Sequence, residues 1–267
     1  MKYMGMPMGM WALFAKSFRT RLTAVLGYTP EEAGRIAERA KPKYREIIAG
    51  LPEFEKDDRF QMNIVNCAML GAFVLSMPQR PEVEPLTKYY AKAMMTKPMK
   101  WFCRKSGKNK FTEKDIAGMK ATAALRAADR NPYSWNMEFL PYDDGSGYEA
   151  RFSRCGICTL MQELGLYDLT PAMCHLDYTM AEAGEVTNFV REYTLASGGP
   201  YCDCGYHRKS ALPQHQSVRL PPQLCAEIRV GDGDKALHPL ADIGTLQVGH
   251  AVLRHDAVYP VAGDGHH

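Results

Sequence analysis

The stretch GYEARFSRCGICTLMQELGL, residues 147–166, changes from one pattern of apolar residues to another, and this change indicates the fold class. In its first half, Tyr148, Ala150 and Phe152 alternate with polar residues, as the side chains of a half-buried strand do. From Cys155 onward the sequence is typical of a helix. The stretch therefore predicts a strand that leads directly into a helix.

The residues that follow extend this mixture of helix and strand. Residues 169–184, LTPAMCHLDYTMAEAG, predict a second helix with Thr170 as its N-cap and Gly184 as its stop. Residues 186–195 and 200–206 predict two strands that are joined by a Gly-Gly turn. The order strand, helix, helix, strand, strand is typical of an α+β domain.

The residues before this core predict a helical N-terminal layer. Thr29 begins a capping-box sequence and so starts one helix, which Pro42 is expected to end or kink. Residues 60–77 are apolar almost all round and predict a buried helix. A further helix is predicted to start at Thr112. The predicted fold class is α+β, with a helical layer followed by a small sheet and two helices.

The composition of the chain changes near residue 210. We predict one α+β domain over residues 1–209, with a helical part at 1–130 and a mixed part at 131–209. All sixteen methionines precede residue 210, whereas six of the eight histidines follow it. The tail at 210–267 is interpreted as disordered sequence, an independent appendage or sequence foreign to the rest, and its dispersed histidines do not predict one metal site.

Charge and cysteine content exclude several classes of protein. A net charge of +3 over 267 residues is too small to predict binding to nucleic acid or to an anionic membrane. The apolar N-terminus is interrupted by Gly and Pro, so it predicts a helix packed on the body and no membrane insertion. Eight cysteines without a secretory signal predict free thiols and a cytoplasmic location. The sequence leaves the oligomeric state open.

Two spacings in the mixed part bring cysteines together on helices. Cys155 and Cys158 are three residues apart at the start of the first helix, so both side chains can share one face. Cys174 and Asp177 repeat this spacing in the second helix. Because Cys155 stands at a helix N-terminus, its thiol is a candidate for a lowered pKa.

The last predicted strand carries Cys202, Asp203 and Cys204 in succession. In a regular strand the two cysteines share one face and Asp203 points to the other. Cys202 and Asp203 can therefore line one pocket only if the strand is bulged.

The residue types leave three interpretations of these thiols open. They can hold zinc, act in nucleophilic catalysis, or fill a tight core as small apolar side chains. Arg191 is a candidate for binding a substrate carboxylate, although an ordinary solvated arginine in a strand explains it equally well. The basic loop SGKNK, residues 106–110, lacks the glycine spacing of a phosphate-binding loop.

Three segments carry a resemblance to a known family. They are NPYSWNMEFL at residues 131–140, the run from Arg151 to Gly184, and REYTLASGGPYCDCGY at residues 191–206. They resemble the L-2-amino-thiazoline-4-carboxylic acid hydrolase family over roughly residues 60 to 207. After the Cys-Asp pair this chain has Cys204 and Gly205, where the family usually has an aromatic and then a basic residue.

The resemblance implies an enzyme that opens a small cyclic amidine by hydrolysing a carbon–nitrogen bond, with a small-molecule substrate and no cofactor. It implies Cys202 as the nucleophile or as a polar pocket wall, and Asp177 or Asp203 as the proton shuttle. Arg191 would anchor the substrate carboxylate. The thiols expected to support this site are Cys155 and Cys174.

The order of elements and the late Gly-Gly-x-x-Cys segment also look like binding modules of the 4-vinyl-reductase type. The alternative function is therefore a small-molecule-binding or sensor module without turnover. Such a module would use the cysteines for packing or for zinc. The candidate zinc ligands are Cys155, Cys158, Cys174 and Cys202.

Overall fold

The computed structural model describes residues 6–209, and the predicted tail at 210–267 lies outside the described residues. Up to residue 127 the described chain is helical. The helices are α1 (Met6–Leu26), α2 (Pro30–Gly50), α3 (Gln61–Ser76), α4 (Val83–Met94), α5 (Lys97–Gly107) and α6 (Glu113–Ala127).

Helix α1 packs on the body through one apolar face, as the sequence predicts. Trp11, Phe14, Phe18 and Leu22 recur at helical spacing and are all buried. Within residues 6–209, no helix combines the length and the apolar character that crossing a bilayer requires.

Helices α2 and α3 begin and pack as predicted, with one exception. The side chain of Thr29 accepts a hydrogen bond from the Glu32 amide while the Glu32 carboxylate accepts one from the Thr29 amide, which completes the capping box. The expectation that Pro42 ends the helix is wrong, because α2 continues through it to Gly50. Fully buried Tyr44, whose hydroxyl donates to the Pro7 carbonyl at 2.8 Å, helps to hold the later turns in place.

Four antiparallel strands form one sheet in the order β1-β2-β4-β3. The strands are β1 (Glu138–Pro141), β2 (Gly147–Phe152), β3 (Thr187–Val190) and β4 (Cys202–Arg208). Helices precede the sheet and strands predominate at the end of the described chain, so the predicted α+β class is confirmed.

The segment between β2 and β3 is more interrupted than predicted. It contains α7 (Gly156–Glu163), α8 (Thr170–Cys174) and α9 (Leu176–Gly184). The predicted single helix over 169–184 is wrong, because a turn at His175 divides it into two helices. Thr170 is the first helical residue and not the cap, and the turn that ends α9 places Glu185 at a left-handed φ of 69°.

The third strand is also shorter than predicted, since it ends at Val190 and leaves Arg191 in the following loop. The next two amide groups, of Glu192 and Tyr193, donate to the Asp203 carboxylate and not to a strand partner. This loop returns through a short 3-10 turn to β4.

A buried ionic cluster joins α6 to the loop that follows it and to the loop between α2 and α3. The side chain of Arg126 is 2% exposed and pairs with Asp58 at 3.2 Å and with Asp129, whose side chains are 1% and 5% exposed. It also pairs with Glu55 at 2.7 Å. Removing one partner of such a cluster leaves the others as uncompensated buried charges.

We expect Arg126→Met to destabilise the protein strongly. The change keeps most of the side-chain volume but leaves buried Asp58 without its cation and Asp129 with Arg154 alone, at 3.4 Å. Breaking a buried ion pair typically costs about 3–5 kcal/mol. Urea unfolding followed by circular dichroism measures the loss.

The control is Arg35→Met, which removes an ion pair of two exposed side chains with Glu31. Exposed pairs contribute about 1 kcal/mol or less. Equal losses in the two variants would contradict a structural role for the buried cluster.

Candidate functional site

Strand β4 presents its cysteines to the helices on one regular face. Cys202 lies opposite Phe152 and Cys204 lies opposite Ala150 in the antiparallel register with β2. Both cysteines are buried, at 8% and 5% exposure. The pairing is continuous along the strand, so the two thiols share one face and Asp203 lies on the other.

Asp203 is engaged by the backbone of the loop that follows β3. Its carboxylate accepts hydrogen bonds from the amide of Tyr193 at 2.7 Å and from the amide of Glu192 at 3.0 Å. The structure therefore does not bring Asp203 together with Cys202. Its contacts hold the loop against the end of β4.

The cysteines from separate elements come together beside this face. Cys155 stands at the N-terminus of α7, where its thiol forms a hydrogen bond with the thiol of Cys158. Cys155, Cys174 and Cys202 lie close enough that a charge on any one raises the pKa of another. Cys67 of α3 joins the same group and is fully buried. The thiols therefore form one cluster.

The environment of the cluster keeps its thiols protonated. The hydrogen bond with Cys158 and then burial raise the pKa of Cys155, so the expected lowering at the helix N-terminus is wrong. Burial raises the pKa of Cys174 to about 12. Burial also raises the pKa of Cys202, although the Leu195 amide donates to its sulfur at 3.3 Å. None of these three sulfurs is a thiolate near neutral pH.

Arg191 joins the end of α8 to α9 beside the thiol cluster. Its guanidinium donates to the carboxylate of Asp177 at 2.9 Å and to the carbonyl of Cys174 at 2.8 Å. The Cys204 sulfur lies 4.0 Å from the same group. The Arg191 side chain is 6% exposed, so its donors serve the protein.

Asp177 forms this ion pair and also lines a pocket. Its side chain is 46% accessible, and the accessible part faces a pocket of about 180 Å³. Burial raises the pKa of the Asp177 carboxyl, while the charge of Arg191 opposes the rise. A carboxyl group that is anchored on one side and open to a pocket on the other is suited to proton transfer.

The pocket lies where α5 and α9 meet the sheet and the loop after α5. A basic and an acidic side chain, a tyrosine and two glycines contribute to its walls. These residues are Lys110, Asp177, Tyr206, Gly107 and Gly184. Asp177 belongs to the lining of this pocket, whereas Cys202 does not.

A comparison with known families shows that this part of the chain matches one of them. The family model of L-2-amino-thiazoline-4-carboxylic acid hydrolase matches residues 62–206, which is more than half of the 267 residues. The chain belongs to this family. The match begins in α3 and ends in β4, so it contains the thiol cluster, the Arg191–Asp177 pair and the pocket. Comparisons with curated proteins and with solved structures gave no match.

The zinc alternative has little geometric support in this family member. Within residues 6–209, no three His, Cys, Asp or Glu side chains converge in an arrangement that could hold a metal ion. The four predicted ligands thus do not form a tetrahedral set, although three of their thiols interact.

The sequence carries no functional signal for three residues at or beside the site. Cys67 lies within the apolar run of residues 60–77 that predicts a buried helix, and Tyr90 belongs to no motif in the sequence. The Tyr90 hydroxyl is buried without a hydrogen-bond partner in the described chain, and charges on Cys67 and Asp177 contribute to raising its pKa after burial. Lys110 lies in the basic loop at residues 106–110, and no feature of the sequence indicates that this loop borders the pocket.

The raised pKa values predict slow alkylation of the clustered thiols. In the folded protein at about pH 7.5, we expect iodoacetamide to label Cys155, Cys174 and Cys202 at least about ten-fold more slowly than in urea, because little thiolate is present. Mass spectrometry of peptides from timed samples gives each rate. Fast labelling of folded Cys202 would contradict this prediction and favour an activated nucleophile.

Proposed function

We propose that the protein is a hydrolase that opens a small cyclic amidine such as L-2-amino-thiazoline-4-carboxylate. Membership of the family supports the substrate class. The observation that carries the proposal is the position of Asp177, which lines a small pocket while a buried arginine holds its carboxylate. Such a group can accept a proton from water and return it to a leaving atom.

The reaction adds one water molecule to the ring carbon that lies between sulfur and the two nitrogens. Asp177 accepts a proton as the water oxygen bonds to this carbon, which gives a tetrahedral intermediate. Protonated Asp177 then gives its proton to the ring nitrogen, the bond from the carbon to that nitrogen breaks, and the hydroxyl proton of the intermediate passes to the released amine as the carbonyl forms. The product is a carbamoyl-cysteine that carries the carbamoyl group on sulfur, and release of a free thiol would instead indicate cleavage of the carbon–sulfur bond.

Arg191 acts in this proposal as a positioning residue. The sequence suggested that it anchors the substrate carboxylate, but its guanidinium already serves Asp177 and the Cys174 carbonyl. Its positive charge favours the ionised form of Asp177 and so prepares the carboxylate to accept a proton.

Cys202 contributes a polar wall behind the ion pair, and water is the nucleophile. The raised pKa of the Cys202 thiol and its position outside the pocket lining support this choice over attack by sulfur. Cys155 and Cys174 support the same wall through their contacts within the cluster. Asp203 keeps the loop after β3 in place.

We expect Asp177→Asn to lower kcat/KM for 2-amino-thiazoline-4-carboxylate by about 100-fold or more, because an amide cannot accept the proton. In the wild type, kcat/KM should rise with pH through the pKa of Asp177, which lies above its ordinary value. Substrate loss is followed by chromatography across a range of pH values.

Three further variants make the test specific. Asp168→Asn, which changes an exposed carboxylate, is the matched control and should keep full activity. Cys202→Ala should retain turnover, whereas complete loss would favour the thiol nucleophile. Loss of turnover in Asp203→Asn with retention in Asp177→Asn would overturn the assignment of the proton shuttle. Tight binding by a wild-type protein that never turns over would favour the binding-module alternative.

A further inference from the structure

We propose that Lys110 is the residue that binds the substrate carboxylate in the Asp177 pocket, an inference that rests on the proposed function. Lys110 and Asp177 line the same pocket but come from different elements, the loop after α5 and helix α9. They form no ion pair with each other, since the ion-pair partner of Asp177 is Arg191, so the charge of Lys110 is available to an anionic group of a ligand. A zwitterion with a carboxylate and an amidine presents the complementary pair.

The surroundings of Lys110 leave its ammonium group without an anionic partner. Its Nζ lies 3.9 Å from the centre of the Tyr206 ring and 5.0 Å from that of Tyr148. Aromatic faces stabilise a cation but accept no ordinary hydrogen bond from it. Among residues 6–209, no carboxylate lies within ion-pair distance of this nitrogen.

The acidic side chain whose charge acts on Lys110 is already engaged. One carboxylate oxygen of Asp115 accepts hydrogen bonds from the Phe111 amide and from the Tyr148 hydroxyl, each at 2.8 Å. Asp115 therefore stabilises the charge of Lys110 from a distance and leaves its donors free. A carboxylate in the pocket would provide the missing acceptor.

The balance of charge around the pocket favours an anion. Arg191 offsets the charge of Asp177 from behind, which leaves the positive charge of Lys110 in excess. A half-buried lysine without a counter-ion attracts an anionic group more strongly than an exposed one does, because water screens it less.

The size of the pocket restricts the ligand to a small compound. Pockets for drug-sized ligands usually measure about 300–1,000 Å³, whereas this one measures about 180 Å³. A single five-membered ring with one carboxylate suits this space. Met180, Ala181 and Thr187 also line the pocket and provide apolar atoms against which the ring can pack.

The state of Lys110 gives the proposal a pH signature. Burial lowers the pKa of Lys110 to about 8, with Asp115 opposing the fall and Arg59 adding to it. The other groups that face it are the rings of Tyr148 and Tyr206, and Asp177 lies across the pocket. Because an ammonium group loses its charge above its pKa, affinity for a carboxylate should fall as the pH rises through about 8.

The test compares two ligands, 2-amino-thiazoline-4-carboxylate and 2-amino-thiazoline, which lacks the carboxylate. Lys110→Met should raise KM and the calorimetric Kd for the first ligand by about 10-fold or more, with a smaller effect on kcat. Its Kd for the second ligand should not change. Lys108→Met, which removes an exposed lysine two residues away, is the matched control and should match the wild type.

Lys110→Arg provides a second measurement that does not depend on how well Lys110→Met folds. An arginine stays charged at high pH, so this variant should bind the carboxylate without the loss of affinity above about pH 8 that the wild type shows. A structural role for Lys110 would not produce this difference in pH dependence.

The outcomes separate this inference from the proposed function. Equal Kd values in Lys110→Met and the wild type, or no binding of the carboxylate by the wild type, would overturn the role of Lys110. Binding that depends on Lys110 in a wild-type protein without turnover would support Lys110 and overturn the hydrolase proposal. If the wild type consumes the ligand during a titration, binding is measured with the Asp177→Asn variant instead.

Discussion

The buried guanidinium of Arg191 is the constraint on which the site depends. A charge removed from water must find acceptors within the protein, and Arg191 finds the carboxylate of Asp177 and the carbonyl of Cys174. That carbonyl is available because it belongs to the last residue of α8, where the helix ends. One side chain thereby joins the end of β3 to two helices and fixes the carboxylate at the edge of the pocket.

Local periodicity predicted most of the fold. The strand at 147–152, the buried α3 and the capping box at Thr29 all depend on near neighbours in sequence, and each was confirmed. The errors arose where tertiary contacts override local preference. Pro42 remains inside a helix that is buried against others, and the interrupted α8–α9 segment suits Arg191, a residue that lies far along the chain.

The sequence predicted which residue types form the site better than it predicted the chemical state of those residues. Alternation in β4 placed Cys202 and Asp203 on opposite faces, and the structure has this arrangement. The direction of the thiol pKa shifts could not be read from the sequence, because it depends on how deeply other elements bury the sulfurs. Likewise, nothing local to Lys110 indicates that its loop borders a pocket formed mainly by α5 and α9.

The contact between Gly107 and Gly184 has a consequence for engineering the protein toward other ring compounds. A Cβ on Gly107 would lie 2.5 Å from the Gly184 carbonyl oxygen, so α5 and α9 touch through their backbones where both border the pocket. No side chain can be trimmed there to make room, and an added methyl group would push the helices apart. Acceptance of bulkier heterocycles must therefore be redesigned at the side chains that line the pocket, starting with Met180.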